Sequence, residues 1–347
     1  MNTPFPKVIF LLCVGLFGLT NRPGIASAQD QASVQAQLQR ELQALEAEGT
    51  ELARLRSIAR LYESLGELSN ASSFAEQVCS HKGSDAEDIA NLARIYVKDA
   101  KGETALDLLK NAGQRFPDSA TLLYAQGMVY LAMDKAPAAT YSLQLAAKLD
   151  PDDPRINYKL AELFFRRGNL ERAETLLEPI VESEAAFDDA VLLYGQVLFA
   201  SERERQGLRV IERYLKKHAE SDKARGALVA LLLKQAMTEA EAGRISRAVG
   251  LLEDADEVVP AEPKILMGLA LLENEQGNAT ASIAYCKEII DTSPRDLEAY
   301  AFLGRLQRVE GLAEEAEETF KAGLALAEEL GETQHVANFN RLLNPFE

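Results

Sequence analysis

The chain has 347 residues, and its 37 Lys and Arg against 54 Asp and Glu give a formal net charge of −17. A hydrophobic share of 47%, with 12 Pro and 21 Gly, excludes disordered, collagen-like and low-complexity classes. A field this negative repels phosphate backbones, so we expect no nucleic-acid partner. The length exceeds one ordinary domain of about 150 residues, which leaves two domains or a repeat array. The absence of Trp and an aromatic share of 7% favour helix over sheet.

The amino-terminal segment predicts an export signal. An apolar run over 8–20 is interrupted at 22–24 (Arg-Pro-Gly), and 26–28 reads Ala-Ser-Ala, the small-x-small pattern of signal peptidase sites. This pattern predicts a signal peptide over 1–28 and a mature start at Gln29. The apolar run is shorter than the roughly 20 residues that span a bilayer. We therefore favour cleavage and export to a bacterial periplasm; an uncleaved segment would anchor the chain to the inner membrane.

Residues 29–51 predict an amphipathic helix. Val34, Leu38, Leu42 and Leu45 recur at helical spacing in a Gln-rich background. Such a helix either caps the structure that follows it or mediates oligomerisation. The sequence leaves both roles open.

From residue 52 onward, small, aromatic and proline residues recur at an interval of 34. Pro117 and Pro151 are separated by this interval, and so are Pro260 and Pro294. Three further pairs keep the same interval: Gly127 and Ala161, Tyr130 and Phe164, and Ala139 and Ala173. This spacing resembles the tetratricopeptide repeat, whose pattern is a small residue, an aromatic residue, a turn Gly, an Ala and a closing Pro.

The resemblance implies an all-α, right-handed superhelical solenoid of about eight helix-turn-helix repeats. The repeats cover 52–330 and begin near 52, 86, 120, 154, 188, 229, 263 and 297. Residues 331–347 are expected to form a carboxy-terminal capping helix. Two helices of a repeat can cross closely only where side chains are small, so Gly127 is expected to face Ala139.

The fifth repeat departs from the pattern. Ala219 replaces the closing Pro, and a seven-residue insertion of about two helical turns follows, which predicts one helix from about Ser221 to Ala242. The same region carries a basic island, which is either a solvated face or a docking patch for an acidic partner. Its residues are Arg203, Arg205, Arg209, Arg213, Lys216, Lys217, Lys223 and Arg225.

Sequence motifs of catalysis and of cofactor binding are absent. No HExxH, GxSxG, GxGxxG or GxxxxGK[ST] string occurs, and the three histidines are His81, His218 and His335. Cys79 and His81 lack a neighbouring pair of ligands, so a metal site is not favoured. Cys79 and Cys286 fit the role of small buried apolar residues. We therefore predict no catalytic residue, metal or cofactor.

The resemblance also implies a groove lined by the first helix of each repeat. In this chain those positions give a basic first end, an apolar middle and some basic character at the far end, which suits a peptide with apolar anchors and an acidic group near one end. Tight winding that buries the same side chains is the alternative. The candidate groove residues are Arg56, Arg60, Asn91, Arg94, Tyr124, Met128, Tyr158, Phe165, Phe199, Met267, Phe302 and Arg305.

These features predict a non-catalytic scaffold or assembly factor of the bacterial envelope that binds a protein or peptide, either alone or within a membrane-associated complex. The alternative is a self-associating structural protein of the envelope, using residues 29–51. An enzyme without a recognisable motif is least favoured.

Overall fold

A computed structural model describes residues 28–49 and 51–344 of the chain. Apart from Ala28, the predicted signal peptide lies outside these residues. Within them the chain forms eighteen α-helices and no strand. No helix in this part of the chain combines the length and the apolar character needed to cross a membrane.

The helices are joined by short turns. Helices α1 to α18 span, in chain order, Ala28–Glu48, Leu52–Ser64, Leu68–Ser80, Ala86–Lys98, Gly102–Ala112, Ala120–Ala132, Ala136–Leu149, Pro154–Arg166, Leu170–Glu182, Asp188–Ala200, Glu204–Lys217, Asp222–Glu241, Ile245–Val258, Pro263–Glu275, Ala279–Thr292, Leu297–Val309, Ala313–Leu330 and Thr333–Leu343.

From α2 onward the helices form consecutive helix-turn-helix repeats, which confirms the predicted all-α tetratricopeptide solenoid fold. Helix α12 occupies Asp222–Glu241, with Ser221 as its N-cap and Ala242 as its C-cap. The prediction of one long helix across the insertion is therefore confirmed. A helix pair cannot bury its own apolar face, and within 28–201 and within 202–344 the helices pack against their neighbours in the chain.

The chain divides into two compact bodies between Ser201 and Glu202. Helices α1–α10 belong to the amino-terminal body and α11–α18 to the carboxy-terminal body. The division falls inside the fifth repeat, so its two helices belong to different bodies.

Small residues determine how closely the two helices of a repeat approach. A Cβ atom on Gly127 would lie 2.7 Å from Cγ of Leu143 and 3.4 Å from the carbonyl oxygen of Ala139. Ala139 and Ala173 are fully buried. The crossing of α6 and α7 therefore involves the Leu143 side chain as well as the predicted partner, Ala139.

The turn between the two helices of a repeat passes through the left-handed backbone region at its fifteenth position. This position is Gly in five of the eight repeats and a residue with a side chain in three. The residues are Gly66, Ala100, Asp134, Gly168, Glu202, Gly243, Gly277 and Gly311, with φ between 57° and 83°.

The two terminal helices pack on their neighbours. Helix α1 packs against α2 and buries Leu38, and Nη1 of Arg54 donates to the carbonyl oxygens of Ala44 and Gly49, both at 3.2 Å. Helix α18 packs on α17 and buries Phe339 completely. Apolar surface at both ends of the repeat array is thereby covered by the chain itself.

Candidate protein-binding surface

The first helices of repeats 1 and 2 are joined by an ion pair. Nε and Nη2 of Arg56 on α2 each donate to one carboxylate oxygen of Asp88 on α4, both at 2.6 Å, and Nη2 also lies 3.2 Å from Asp85. The hydrogen bond to Asp88 raises the pKa of Arg56. Asp88 also forms a capping box with Asp85 at the start of α4. One buried carboxylate thus begins α4 and holds it to α2.

A second ion pair joins the same two helices further along. Arg94 on α4 donates to both carboxylate oxygens of Glu63 on α2, and Nζ of Lys98 lies 2.7 Å from the same carboxylate. The Glu63 side chain is only 8% exposed. Burial alone would raise the pKa of Glu63, but hydrogen bonds from Arg94 and Lys98 outweigh burial and hold this pKa below its usual range.

These contacts neutralise much of the basic first end that the sequence predicts. Arg56 and Arg94 are bound to carboxylates of their own chain, and the side-chain oxygen of Asn91 accepts a hydrogen bond from Arg94 at 3.3 Å. Arg60 is exposed, and its Nε donates to the carbonyl oxygen of Arg56 at 3.2 Å. The charge of Arg56 is already balanced by Asp88 and Asp85, so a peptide carboxylate would gain less there than beside an unpaired arginine.

Repeats 3 and 4, up to the N-cap of α10, carry an aromatic patch, defined here as Tyr124, Met128, Tyr158, Phe165 and Phe187. All five residues are half-buried. The ring of Tyr158 packs edge-on against that of Phe187, with centroids 5.4 Å apart. Helical periodicity places Met128 on the same face of α6 as Tyr124, and Phe165 on the same face of α8 as Tyr158.

The cations beside this patch are neutralised by nearby carboxylates. The guanidinium of Arg155 lies 5.6 Å from the Tyr124 ring centroid. It donates hydrogen bonds to both carboxylate oxygens of Asp153, the N-cap of α8. Nζ of Lys159 lies 4.9 Å from the Tyr158 centroid and 2.9 Å from Glu162. The patch is therefore a set of partly exposed aromatic rings with little free charge beside it.

Partial burial also affects the tyrosine hydroxyls. Burial raises the pKa of Tyr158 to about 12, with a further contribution from the charges of Asp189 and Glu162. The pKa of Tyr124 is raised for the same principal reason. Both hydroxyls consequently stay protonated, and able to donate a hydrogen bond, throughout the physiological range.

The other candidate groove residues do not belong to this patch. Phe199 is half-buried on α10. In the carboxy-terminal body, Phe302 is half-buried and Arg305 is exposed, whereas Met267 is only 7% exposed. Met267 is therefore buried and not available on an open surface, as the alternative of tight winding expects, and the groove itself stays a prediction.

Sequence reasoning missed Phe187, Glu63 and Asp88. Phe187 is the N-cap residue of α10 and lies just outside the helical positions that line the groove in the family. Glu63 and Asp88 lie 31 and 32 residues from their partners Arg94 and Arg56. Acidic residues at nearly one repeat length from a basic residue are the signal that could have found them.

Among the residues that the structure describes, no group of three or more His, Cys, Asp or Glu could hold a metal ion. Cys79 and Cys286 are free thiols, and burial raises the pKa of each to about 12. A thiol with so high a pKa is a poor nucleophile.

The helical repeats and their first-helix faces define a protein-interaction scaffold. Family profiles described as tetratricopeptide repeat match residues 130–196 and 233–296. These two segments of the chain therefore contain tetratricopeptide repeats.

A curated relative, the TPR repeat-containing protein YpiA of Bacillus subtilis (strain 168), is 23% identical over 241 residues. The alignment covers 69% of this chain and 55% of YpiA, so the chain spans about half the length of that relative. A solved structure of the carboxy-terminal part of a TPR repeat-containing protein from Cytophaga hutchinsonii is similar at a TM-score of 0.54 and 14% identity. That similarity covers 71% of this chain and 98% of the other, and it concerns the fold.

A structure of IFIT1 with m7Gppp-AAAA is similar at a TM-score of 0.41 and 15% identity, over 86% of this chain and 87% of that chain. This likeness is too low to extend the IFIT1 ligand to this chain. The expectation that this acidic chain has no nucleic-acid partner stays a prediction.

Proposed function

We propose that this protein is a non-catalytic scaffold that binds a segment of a partner protein through the aromatic patch of the amino-terminal body. The observation that carries the proposal is the half-burial of Tyr124 and Tyr158, beside cations that are already paired. Aromatic side chains supply large contact areas at low entropic cost and are enriched in the residues that dominate binding energy.

The ion pairs narrow the kind of segment that fits. Because Arg56 and Arg94 are bound to Asp88 and Glu63, a carboxylate on the segment gains little from either residue. Apolar and aromatic anchors gain more, because they cover rings that are already partly desolvated. The proposed partner segment is therefore apolar-anchored, and the acidic group expected from the sequence is not required.

Capture experiments test the patch directly. Wild type, Tyr124→Ala/Tyr158→Ala and the control Tyr141→Ala would each be immobilised and exposed to the envelope fraction of the native cell. Tyr141 is 64% exposed on α7 and lies outside the patch, so its variant controls for loss of a surface tyrosine. We expect the double variant alone to lose specific partners, with circular dichroism unchanged in all three. Equal capture by the double variant would refute the proposal.

An envelope location is part of the proposal and is supported by the export pattern over 1–28. Mass spectrometry of the protein from a periplasmic fraction should give a chain that begins at Gln29. An intact amino terminus in a cytoplasmic fraction would contradict it. Self-association through residues 29–51 has less support, because Leu38 is buried against the chain's own first repeat.

A further inference from the structure

Helix α11 carries a stripe of basic side chains on its outer face. Arg205, Arg209, Arg213 and Lys216 are spaced by four, four and three residues, which places them in one narrow sector of a helix of 3.6 residues per turn. All four are exposed. The stripe is about 16 Å long at 1.5 Å per residue. Leu208 and Ile211 lie on the opposite side of α11 and are buried. We call these four residues the basic stripe.

The basic stripe has no ion-pair partner in the part of the chain that the structure describes. The charge of Arg205 helps to lower the pKa of Glu239, but only by attraction at a distance. The hydrogen bond to Glu239 comes from Arg244. By contrast, the exposed Lys321 on another second helix pairs with Glu317 at 2.6 Å, one turn away. Glu212 is the one acidic residue at the edge of the stripe, so a positive excess remains.

Helix stability does not explain this arrangement. Like charges four residues apart on a helix repel, so Arg205, Arg209 and Arg213 weaken α11. The helix dipole favours cations only in the last turn, which accounts for Lys216 but not for Arg205 in the first turn. The stripe therefore slightly opposes the local stability of the helix that carries it, so helix formation does not account for it.

We propose that the basic stripe is a docking surface for an acidic segment of a partner protein. Three of its four residues are arginines, whose planar guanidinium groups match carboxylates with two parallel hydrogen bonds. Successive residues are about 6 Å apart along the axis, which is the spacing of carboxylates placed four residues apart on a second helix. The stripe is thus complementary in sign and in spacing to an acidic helix.

The surroundings favour a short protein segment over a nucleic acid or a membrane. At physiological ionic strength, charges are screened beyond about 8 Å, so a segment confined to the stripe interacts little with the remaining acidic surface. An extended polyanion or an anionic bilayer would reach that surface and be repelled by a chain of net charge −17. A bilayer also requires apolar side chains to insert, and no large apolar residue of α11 is exposed.

The test uses the mature chain and two labelled synthetic peptides of matched length. One is a helical peptide with Glu at positions i, i+4, i+8 and i+11; the other has Gln at those positions. The stripe variant is Arg209→Gln/Arg213→Gln, and the control is Lys110→Gln/Lys148→Gln, which removes two exposed cations from other second helices and changes the net charge equally. Because Gln removes a repulsion within α11, the stripe variant is expected to fold, which circular dichroism verifies.

Fluorescence anisotropy at low salt should show the Glu peptide binding wild type and control alike. The stripe variant should bind it roughly tenfold more weakly, since it lacks two exposed charge pairs. Added salt should weaken wild-type binding. The proposal is wrong if the Gln peptide binds equally well, or if the stripe and control variants lose equal affinity. It is also wrong if a single-stranded oligonucleotide of equal charge or an anionic lipid vesicle binds the stripe more tightly than the Glu peptide.

Discussion

Individual glycines set the distance between paired helices, and two glycines of this chain have opposite roles. Gly127 on α6 leaves room for Leu143, whereas Gly226 on α12 has nothing within 4 Å of the place where a Cβ would be. The same substitution should therefore have opposite effects at the two sites.

Gly127→Ala should lower the free energy of unfolding by about 1–3 kcal/mol, because the new methyl group overpacks the crossing against Leu143. Gly226→Ala should raise it by about 0.5–1 kcal/mol, because Gly is the poorer helix former. Urea unfolding followed by circular dichroism measures both. A Gly127→Ala variant as stable as wild type would mean that α6 and α7 are not in close contact there.

A tyrosine of the aromatic patch gives a prediction about pH. The folded-state pKa of Tyr158 is about 12 against an ordinary value near 10, so the folded protein holds this proton more tightly than the unfolded chain does. The contribution of Tyr158 to stability is complete below pH 10 and is lost as the pH rises toward 12. Tyr158→Phe should therefore lose less stability than wild type between pH 9 and pH 11. Ultraviolet difference titration of the two proteins should place the Tyr158 ionisation near pH 12.

At the level of helices and turns, the 34-residue period of the sequence predicts the helix pairs because each matched position has one structural requirement. A small residue such as Gly127 is required at the helix crossing. A residue that can adopt the left-handed backbone conformation is required at the turn. The ion pairs between repeats could not be predicted in the same way. Arg56 contacts Asp88 because α2 and α4 lie side by side with a particular shift along their axes. The residue pattern of neither repeat determines that shift.

The turn position supplies a prediction for this scale. Ala100 and Asp134 adopt φ of 57°, a conformation that is costly for a residue with a Cβ atom and is occupied by Gly in five other repeats. Ala100→Gly removes the cost of the left-handed backbone but increases the entropy of the unfolded chain. The net effect should be a stabilisation of about 0.5–1 kcal/mol. Thermal unfolding would detect this gain. The reverse substitution Gly168→Ala, at φ of 75°, should destabilise by a similar amount and serves as the control.

At the level of the whole molecule, packing within each of the two bodies is mainly between near neighbours in the chain, so stability is largely a sum of local terms. The carboxy-terminal end is an example of such local packing. Phe339 of α18 is completely buried in a cluster with Phe320 and Leu297, and Gly323 provides the space for its ring. The last repeat therefore depends on α18 for the burial of its apolar face.

Phe339→Ala should remove about 3–5 kcal/mol of local stability, because it leaves a cavity where α18 meets the eighth repeat. Because each repeat interacts mainly with its nearest neighbours, the loss of stability should be confined to helices near Phe339. Hydrogen exchange measured by mass spectrometry should show lower protection in α16, α17 and α18, while α13 in the same body is unchanged. Val309→Ala is the matched control, since Val309 is 82% exposed on α16 and its truncation creates no cavity. A loss of protection that reaches α13 would show that the carboxy-terminal body unfolds as one cooperative unit.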